Sequence, residues 1–218
     1  MNITELLAQF RTEVVDVELP YLWSDALIYT YIDEAQKQFC RLTEGIEDSR
    51  SFALKIKVGT NWYSIDPSIL KIRSAHDSVT GREIPIIASE KMSNMGLWFD
   101  GATGPIKALI AGLEKGALRA LPIPSIASTV ELRTFRLPQD LVSGGVPIPG
   151  NDFEIDEQHR LNLLYWVKYR AYSVQDADAG DKGRADLNRK EFEMYCARAR
   201  AEQERVRRPV STVAYGGI

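Results

Sequence analysis

Two hydrophobic periods divide this chain, and their order constrains the fold more than any single motif. Apolar residues recur at helical spacing over residues 2–18 and 23–44. From Ser51 the period changes to two, and short alternating segments punctuated by Pro and Gly continue to 137. Helical spacing returns over 155–207 as two further helices, and Pro209 to Ile218 reads as an extended tail. An amphipathic helix cannot bury its apolar stripe alone. Helices near both ends are therefore expected to close on each other, with the β-rich middle as an insertion. The predicted fold class is α+β. Residues 1–50 and 151–208 form a helical bundle, 51–150 an inserted antiparallel β subdomain, and 209–218 an extended C-terminal tail.

Local signals refine this reading. Asn2 with Glu5 three residues on matches a capping box, and Leu6, Leu7, Phe10, Val14 and Val17 form the stripe of the first helix. Leu19-Pro20 ends it, because a residue before proline avoids the helical region. Ser24 caps a second helix striped by Leu27, Ile28, Tyr31, Ile32, Ala35, Phe39 and Leu42, and Gly45 stops it. Phe52 to Val58 and Trp62 to Ile65, joined by Gly59-Thr60-Asn61, predict a β-hairpin. Ile69–Ala75, Glu83–Ile87, Ile106–Ala111, Gly116–Leu121 and Thr129–Arg136 are further short strands, which suggests a meander or small sandwich. Ser89 to Met95 reads as a short helix. Residues 138–150 are rich in turn signals and read as the return to the bundle. Leu161, Leu164, Tyr165, Lys168, Ala171 and Tyr172 predict the inner face of the third long helix. Leu187, Phe192, Tyr195, Cys196 and Ala199 predict that of the last.

Charge and cysteine usage exclude several function classes. The net charge is −3. A protein that grips nucleic acid by counterion release usually carries a basic surplus or a dense basic stripe. The most basic stretch, Arg198 to Arg208, is interrupted by Glu202 and Glu204 and reads as a solvated helix face. No apolar run approaches the ~18 residues that a membrane helix needs, and the acidic N-terminus lacks the pattern of a secretory leader. Cys40 and Cys196 are too far apart in sequence for a metal motif and are expected as buried thiols, in contact if the terminal helices pack.

The residues that could carry chemistry do not assemble into a site. Asp176-Ala177-Asp178-Ala179-Gly180-Asp181 fails the EF-hand pattern, with Asp181 where glycine belongs and Leu187 where glutamate belongs. It reads as a polar turn whose aspartates cap the next helix. His76 and His159 have no partners that sequence brings together. No serine stands in a nucleophile elbow, and the glycines of residues 96–104 lack phosphate-loop spacing. No catalytic, metal or cofactor-binding residue is assigned, and the chain reads as a non-enzyme. Trp98 and Phe99 are either core residues or an interface anchor toward a tail component or a neighbouring subunit.

Four segments, in order, carry a family resemblance. They are LWSDALIYTYIDEAQKQFCRLTEGIEDS, KVGTNWYSIDPSILKIRSA, LEKGALRALPIPSIASTVELRTFRLPQDL, and a closing helical pair. The pair runs from IPGNDFEIDEQHRLNLLYWVKYRAYSVQ to DADAGDKGRADLNRKEFEMY. Together, over about residues 20–200, they resemble the head-to-tail adaptor, or connector, proteins of tailed bacteriophages, especially short-tailed ones.

That resemblance implies a structural protein of the virion, made in the host cytoplasm and located at the head–tail junction. Copies form a ring of twelve below the portal protein. The ring extends the DNA channel, through which double-stranded DNA passes transiently, and provides a platform for a tail or nozzle protein. There is no cofactor, no active site and no membrane partner. Within this picture Arg207, Arg208, Pro209, Val210, Ser211, Thr212, Val213 and Tyr215 are expected to bind the portal by strand addition. The alternatives are a head-completion stopper or tail-terminator-like ring protein, or a small intracellular enzyme or ligand-binding domain. With no long heptad repeat, the free protein is expected to be monomeric and to form its ring only on the portal.

Overall fold

The computed structural model of the protein describes residues 1–94, 101–174 and 180–207. Along the chain, helices α1 (Ile3–Val14) and α2 (Asp25–Thr43) come first. They are followed by strands β1 (Ile46–Ile56), β2 (Trp62–Ser64), β3 (Ile69–Asp77), β4 (Glu83–Ile84) and β5 (Ile86–Ala88), then by short helix α3 (Ser89–Asn94). Strands β6 (Thr103–Gly104), β7 (Ala108–Ala111), β8 (Ala117–Leu121), β9 (Ile123–Pro124) and β10 (Ser128–Arg136) complete the middle. After them come β11 (Val142–Ser143), β12 (Val146–Pro147), α4 (Glu157–Arg160), α5 (Leu163–Tyr172) and α6 (Lys182–Arg207). The fold is α+β, and its contacts divide it into two units, residues 1–43 with 138–218 and residues 44–137.

The first unit is a helical bundle in which α2 packs on α5 and α6, α5 on α6, and α1 on α2 and α5. Its core is drawn from these four helices and includes Leu6, Phe10, Ile28, Ile32, Phe39, Leu163, Val167, Phe192 and Cys196. Asn2 and Glu5 form the expected capping box, satisfying two N–H groups that the first turn would leave orphaned. Helix α1 stops at Val14, earlier than its periodicity suggested, because Val15 takes up a left-handed conformation. Val17, expected inside, is therefore exposed in the following loop. Two other face assignments also change. Leu161 and Leu187 are exposed, and α5 instead buries Leu163 and Val167, which lie two and six residues beyond Leu161.

The return segment belongs to the helical unit rather than to the β unit as drawn from sequence. Asp33 on α2 accepts a hydrogen bond from the Leu141 backbone N–H (2.7 Å), and its other oxygen pairs with Lys37 (2.5 Å). Lys37 also reaches Asp140 (2.5 Å), and the Gln36 amide donates to the Gln139 carbonyl (3.0 Å). Gly144 and Gly145 turn the β11–β12 hairpin with positive φ, and a Cβ on Gly145 would fall 2.8 Å from the Ala26 methyl.

In the second unit, strands order as β1-β10-β3-β4 in one sheet and β2-β8-β7-β5 in the other. Both sheets contribute to one apolar core that includes Leu54, Ile56, Tyr63, Leu109, Leu118, Val130 and Leu132. The expected hairpin between Phe52–Val58 and Trp62–Ile65 does not form. β1 pairs with β10 and β2 with β8, so Gly59-Thr60-Asn61 is a corner where the chain changes sheets. The Tyr63 hydroxyl holds that corner, donating to the Thr60 carbonyl in place of a backbone ladder. The pairing is also not wholly antiparallel, since β5 runs parallel to β7 and β6 to β9.

Candidate interaction surfaces

His159 is buried against the Phe39 ring (4.9 Å between centroids), and its Nδ1 lies 2.7 Å from the Tyr195 hydroxyl. Burial pushes the His159 pKa down, against weak opposing pulls from Asp156 and Glu202, and pushes that of Tyr195 up. His76 sits in the other unit, 3.0 Å from the Ser74 hydroxyl. Cys40 and Cys196 are buried and form no disulfide, and burial pushes the Cys196 thiol up to about 12. A thiol in that state is not a nucleophile at neutral pH. Among the described residues no cluster of histidine, cysteine and carboxylate could hold a metal, and no helix is long and apolar enough to cross a membrane. The grooves of the β unit include one of about 360 Å³ whose lining includes Leu54, Lys55, Lys57, Trp62 and Tyr63 of β1, β2 and the corner between them.

The most organised surface is the loop joining α1 to α2, residues 15–24. A single arginine builds it. The Arg11 side chain is buried, and its guanidinium donates to Asp16 (2.5 Å), the Trp23 carbonyl (2.8 Å) and Asp25 (2.5 Å). The Tyr21 ring lies over it, 3.5 Å from centroid to guanidinium carbon. Asp16 in turn accepts the Leu22 N–H (2.9 Å). Trp23 anchors the loop to the bundle, packing edge-on against Phe10 (5.7 Å) and Tyr172 (5.9 Å) and donating its indole N–H to the Ala171 carbonyl (3.2 Å). That carbonyl is one of those a helix C-terminus leaves without an intrahelical partner. Arg11, Asp16 and Trp23 at the centre of the scaffold are buried, whereas Val15, Val17, Leu19, Tyr21 and Leu22 around it are all exposed.

Helix α6 supplies a second surface. Ala185, Phe192, Cys196 and Ala199 are buried along one side, and no described residue beyond Ala199 is buried. The Asp181 carboxylate accepts the Arg184 N–H (3.0 Å), so one aspartate of the acidic turn does cap this helix; Asp176 and Asp178 lie outside the described residues. Of the expected portal-binding residues, Arg207 is the last residue of α6, and Arg208, Pro209, Val210, Ser211, Thr212, Val213 and Tyr215 lie outside the described residues. Trp98 and Phe99 lie outside them as well. The sequence reading did not single out the Arg11 loop. Its signal was present as apolar residues alternating with Asp16 and Glu18 ahead of a proline, but helical spacing absorbed Val17.

Over residues 1–213 the chain matches the model of the SU10 adaptor protein family. It belongs to that family. No curated protein is similar enough to match it. As an SU10-type adaptor the protein is a structural component of a phage particle, which agrees with a chain whose most elaborate local architecture fixes the shape of an apolar loop.

Proposed function

We propose that this SU10-type adaptor is a head-to-tail adaptor of a short-tailed phage. Twelve copies form a ring beneath the portal protein, extend the DNA channel and present a platform to the tail or nozzle protein. The observation that carries this reading is the family match, which runs from the first residue to Val213 and so includes half of the C-terminal tail. The chain's acidic balance supports a conduit role, because a channel that passes a moving duplex works best without a strong phosphate-binding surface. The tail residues Arg207 to Tyr215 are assigned to portal binding by strand addition, in which backbone hydrogen bonds supply most of the affinity.

Electron cryomicroscopy of particles carrying the protein tests the assembly. The expected result is twelve copies between portal and tail. A ring capping the tail instead, or a plug that closes the channel, would assign a tail-terminator or stopper role. Deleting residues 209–218 tests the docking. Occupancy on portal-bearing heads is expected to fall at least tenfold while circular dichroism retains the helical signal, and unchanged occupancy would move the portal contact elsewhere.

A further inference from the structure

We propose that, in the ring assigned above, the Arg11-built loop of one copy packs against the outer face of α6 of the next. Three observations in the helical unit lead there. The first is conformational. Val15 sits at φ 59°, ψ 38° and is 81% exposed. A β-branched residue in the left-handed region costs about 1–2 kcal/mol, and the exposed side chain recovers none of that by packing within its own chain. The backbone conformation closes α1, with the Val15 and Asp16 N–H groups reaching the Thr12 and Arg11 carbonyls, and the turn it makes leaves a large apolar side chain outside, open to a partner. Its neighbours Leu19 (79% exposed) and Val17 (59% exposed) extend the same apolar surface.

The second observation is that α6 has two apolar faces. Opposite its buried side run Leu187, Lys190, Met194, Arg198, Ala201 and Arg205, all exposed, with Leu187, Met194 and Ala201 seven residues apart. Two large apolar side chains, Leu187 and Met194, with the small Ala201 a further seven residues on, make a seam for a protein partner. A duplex backbone would offer them no apolar counterpart, so the face does not read as a DNA-lining stripe despite its basic residues.

The third observation is charge. That outer stripe contains basic residues and no carboxylate, and α6 as a whole has eight basic against five acidic side chains. Of the five carboxylates in residues 1–25, Glu5, Glu13, Asp16 and Asp25 are ion-paired within the chain, and Glu18 lies exposed in the loop, where it can face the basic residues of α6. Opposite charge around apolar centres favours this pairing and disfavours loop against loop or α6 against α6. Two different faces of one subunit are what a closed cyclic ring requires, because its interfaces are heterologous.

The test uses particles carrying the full-length protein. Leu19→Cys is combined with Leu187→Cys in one variant and with Met194→Cys in another, and the particles are treated with a bismaleimide. The native thiols of Cys40 and Cys196 are 1% exposed and stay silent. A ladder of covalent oligomers is expected from at least one pair and from none of the single variants. Rings that give no ladder with either pair overturn this interface while leaving the ring reading intact. Particles that hold the protein only as isolated copies overturn the ring, and this interface with it. The unmodified protein supplies a second readout that does not depend on the variants folding. Met194 is 45% exposed, and its oxidation to the sulfoxide by dilute peroxide is expected to slow at least tenfold on assembly. Equal oxidation in free and assembled protein overturns the proposal.

Discussion

Replacing Arg11 with methionine isolates what the α1–α2 loop owes to one guanidinium, since methionine keeps the aliphatic stem and removes only the charge and its donors. The Asp16 side chain is 8% exposed and would be left with the Leu22 N–H as its remaining donor. Deleting one partner of a buried ion pair costs about 3–5 kcal/mol, mostly through the stranded charge. The Asp25 pair adds less than about 1 kcal/mol, because that carboxylate is half-exposed and well screened. Loss of the donor to the Trp23 carbonyl and of the cation–π contact with Tyr21 would add about 1 kcal/mol each if independent. All four contacts share one group and do not add, so about 3–5 kcal/mol is expected in total. Urea unfolding followed by far-ultraviolet circular dichroism measures it, with an unchanged slope showing that the unfolded state is the same. The double variant Arg11→Met, Asp16→Asn removes the stranded charge and is expected to recover about 1–2 kcal/mol of the loss. A cost below about 1 kcal/mol for Arg11→Met, or a double variant less stable than the single, would refute the reasoning.

Gly45→Ala is expected to destabilise the β unit by about 2 kcal/mol or more in the same assay. The residue is at φ +88°, and a Cβ would sit 2.6 Å from the Arg136 carbonyl oxygen and 2.9 Å from a Leu70 methyl. His159 makes the helical unit pH-sensitive. Its folded pKa lies below the unfolded value, so the unfolded chain binds the proton first, and stability that is full above about pH 6.5 is lost as pH falls. In a series of thermal midpoints against pH, His159→Gln should flatten that decline, and a variant with the same slope as the parent would assign it to other groups.

How much was legible in the sequence differs between helices and sheet. The helices were placed closely because their signals are local: the Asn2–Glu5 capping box, Ser24, which accepts the Leu27 N–H (3.3 Å), and the 3.6-residue stripe of α2. The longer strands were also found, though not the two-residue strands β6, β9, β11 and β12, and not their partners, since alternation fixes which side of a strand is buried and not which strand lies beside it. β1 runs from the start of the β unit and pairs with β10 at its end, an arrangement no local signal announces. The Arg11 cluster was invisible for the same reason, because it joins residues 11, 16, 21, 23 and 25 through a three-dimensional turn. The outer face of α6 was legible in principle from Leu187, Met194 and Ala201. Leu187 lies away from the arc that Phe192 and Cys196 bury, and the interleaved basic residues give this face the look of a solvated one.

The β unit is expected to fold as an excised fragment, Glu44–Leu137. Its apolar core is contained between Leu54 and Leu132, so cutting the chain at either end removes none of it. Its first and last strands are partners: Ile46 lies opposite Arg136 and Glu47 opposite Phe135, so the two cut ends emerge side by side from a paired ladder. Asp48 locks that ladder near its open end. It accepts hydrogen bonds from the Arg50 (3.0 Å) and Ser51 (2.9 Å) N–H groups and pairs with Arg136 (2.8 Å). Burial opposes ionisation of this carboxylate, but these donors outweigh it and hold its pKa well below the usual range. The stability Asp48 contributes is therefore present above its unfolded pKa, near pH 4, and lost as pH falls through the folded value. Cooperative urea unfolding of the fragment at neutral pH, with the midpoint falling below about pH 4 in the parent and less so in Asp48→Asn, is the expected outcome. A fragment that unfolds without a cooperative transition would show that the β unit depends on the bundle for its stability. Its insertion would then be a constraint on folding and more than a matter of chain order.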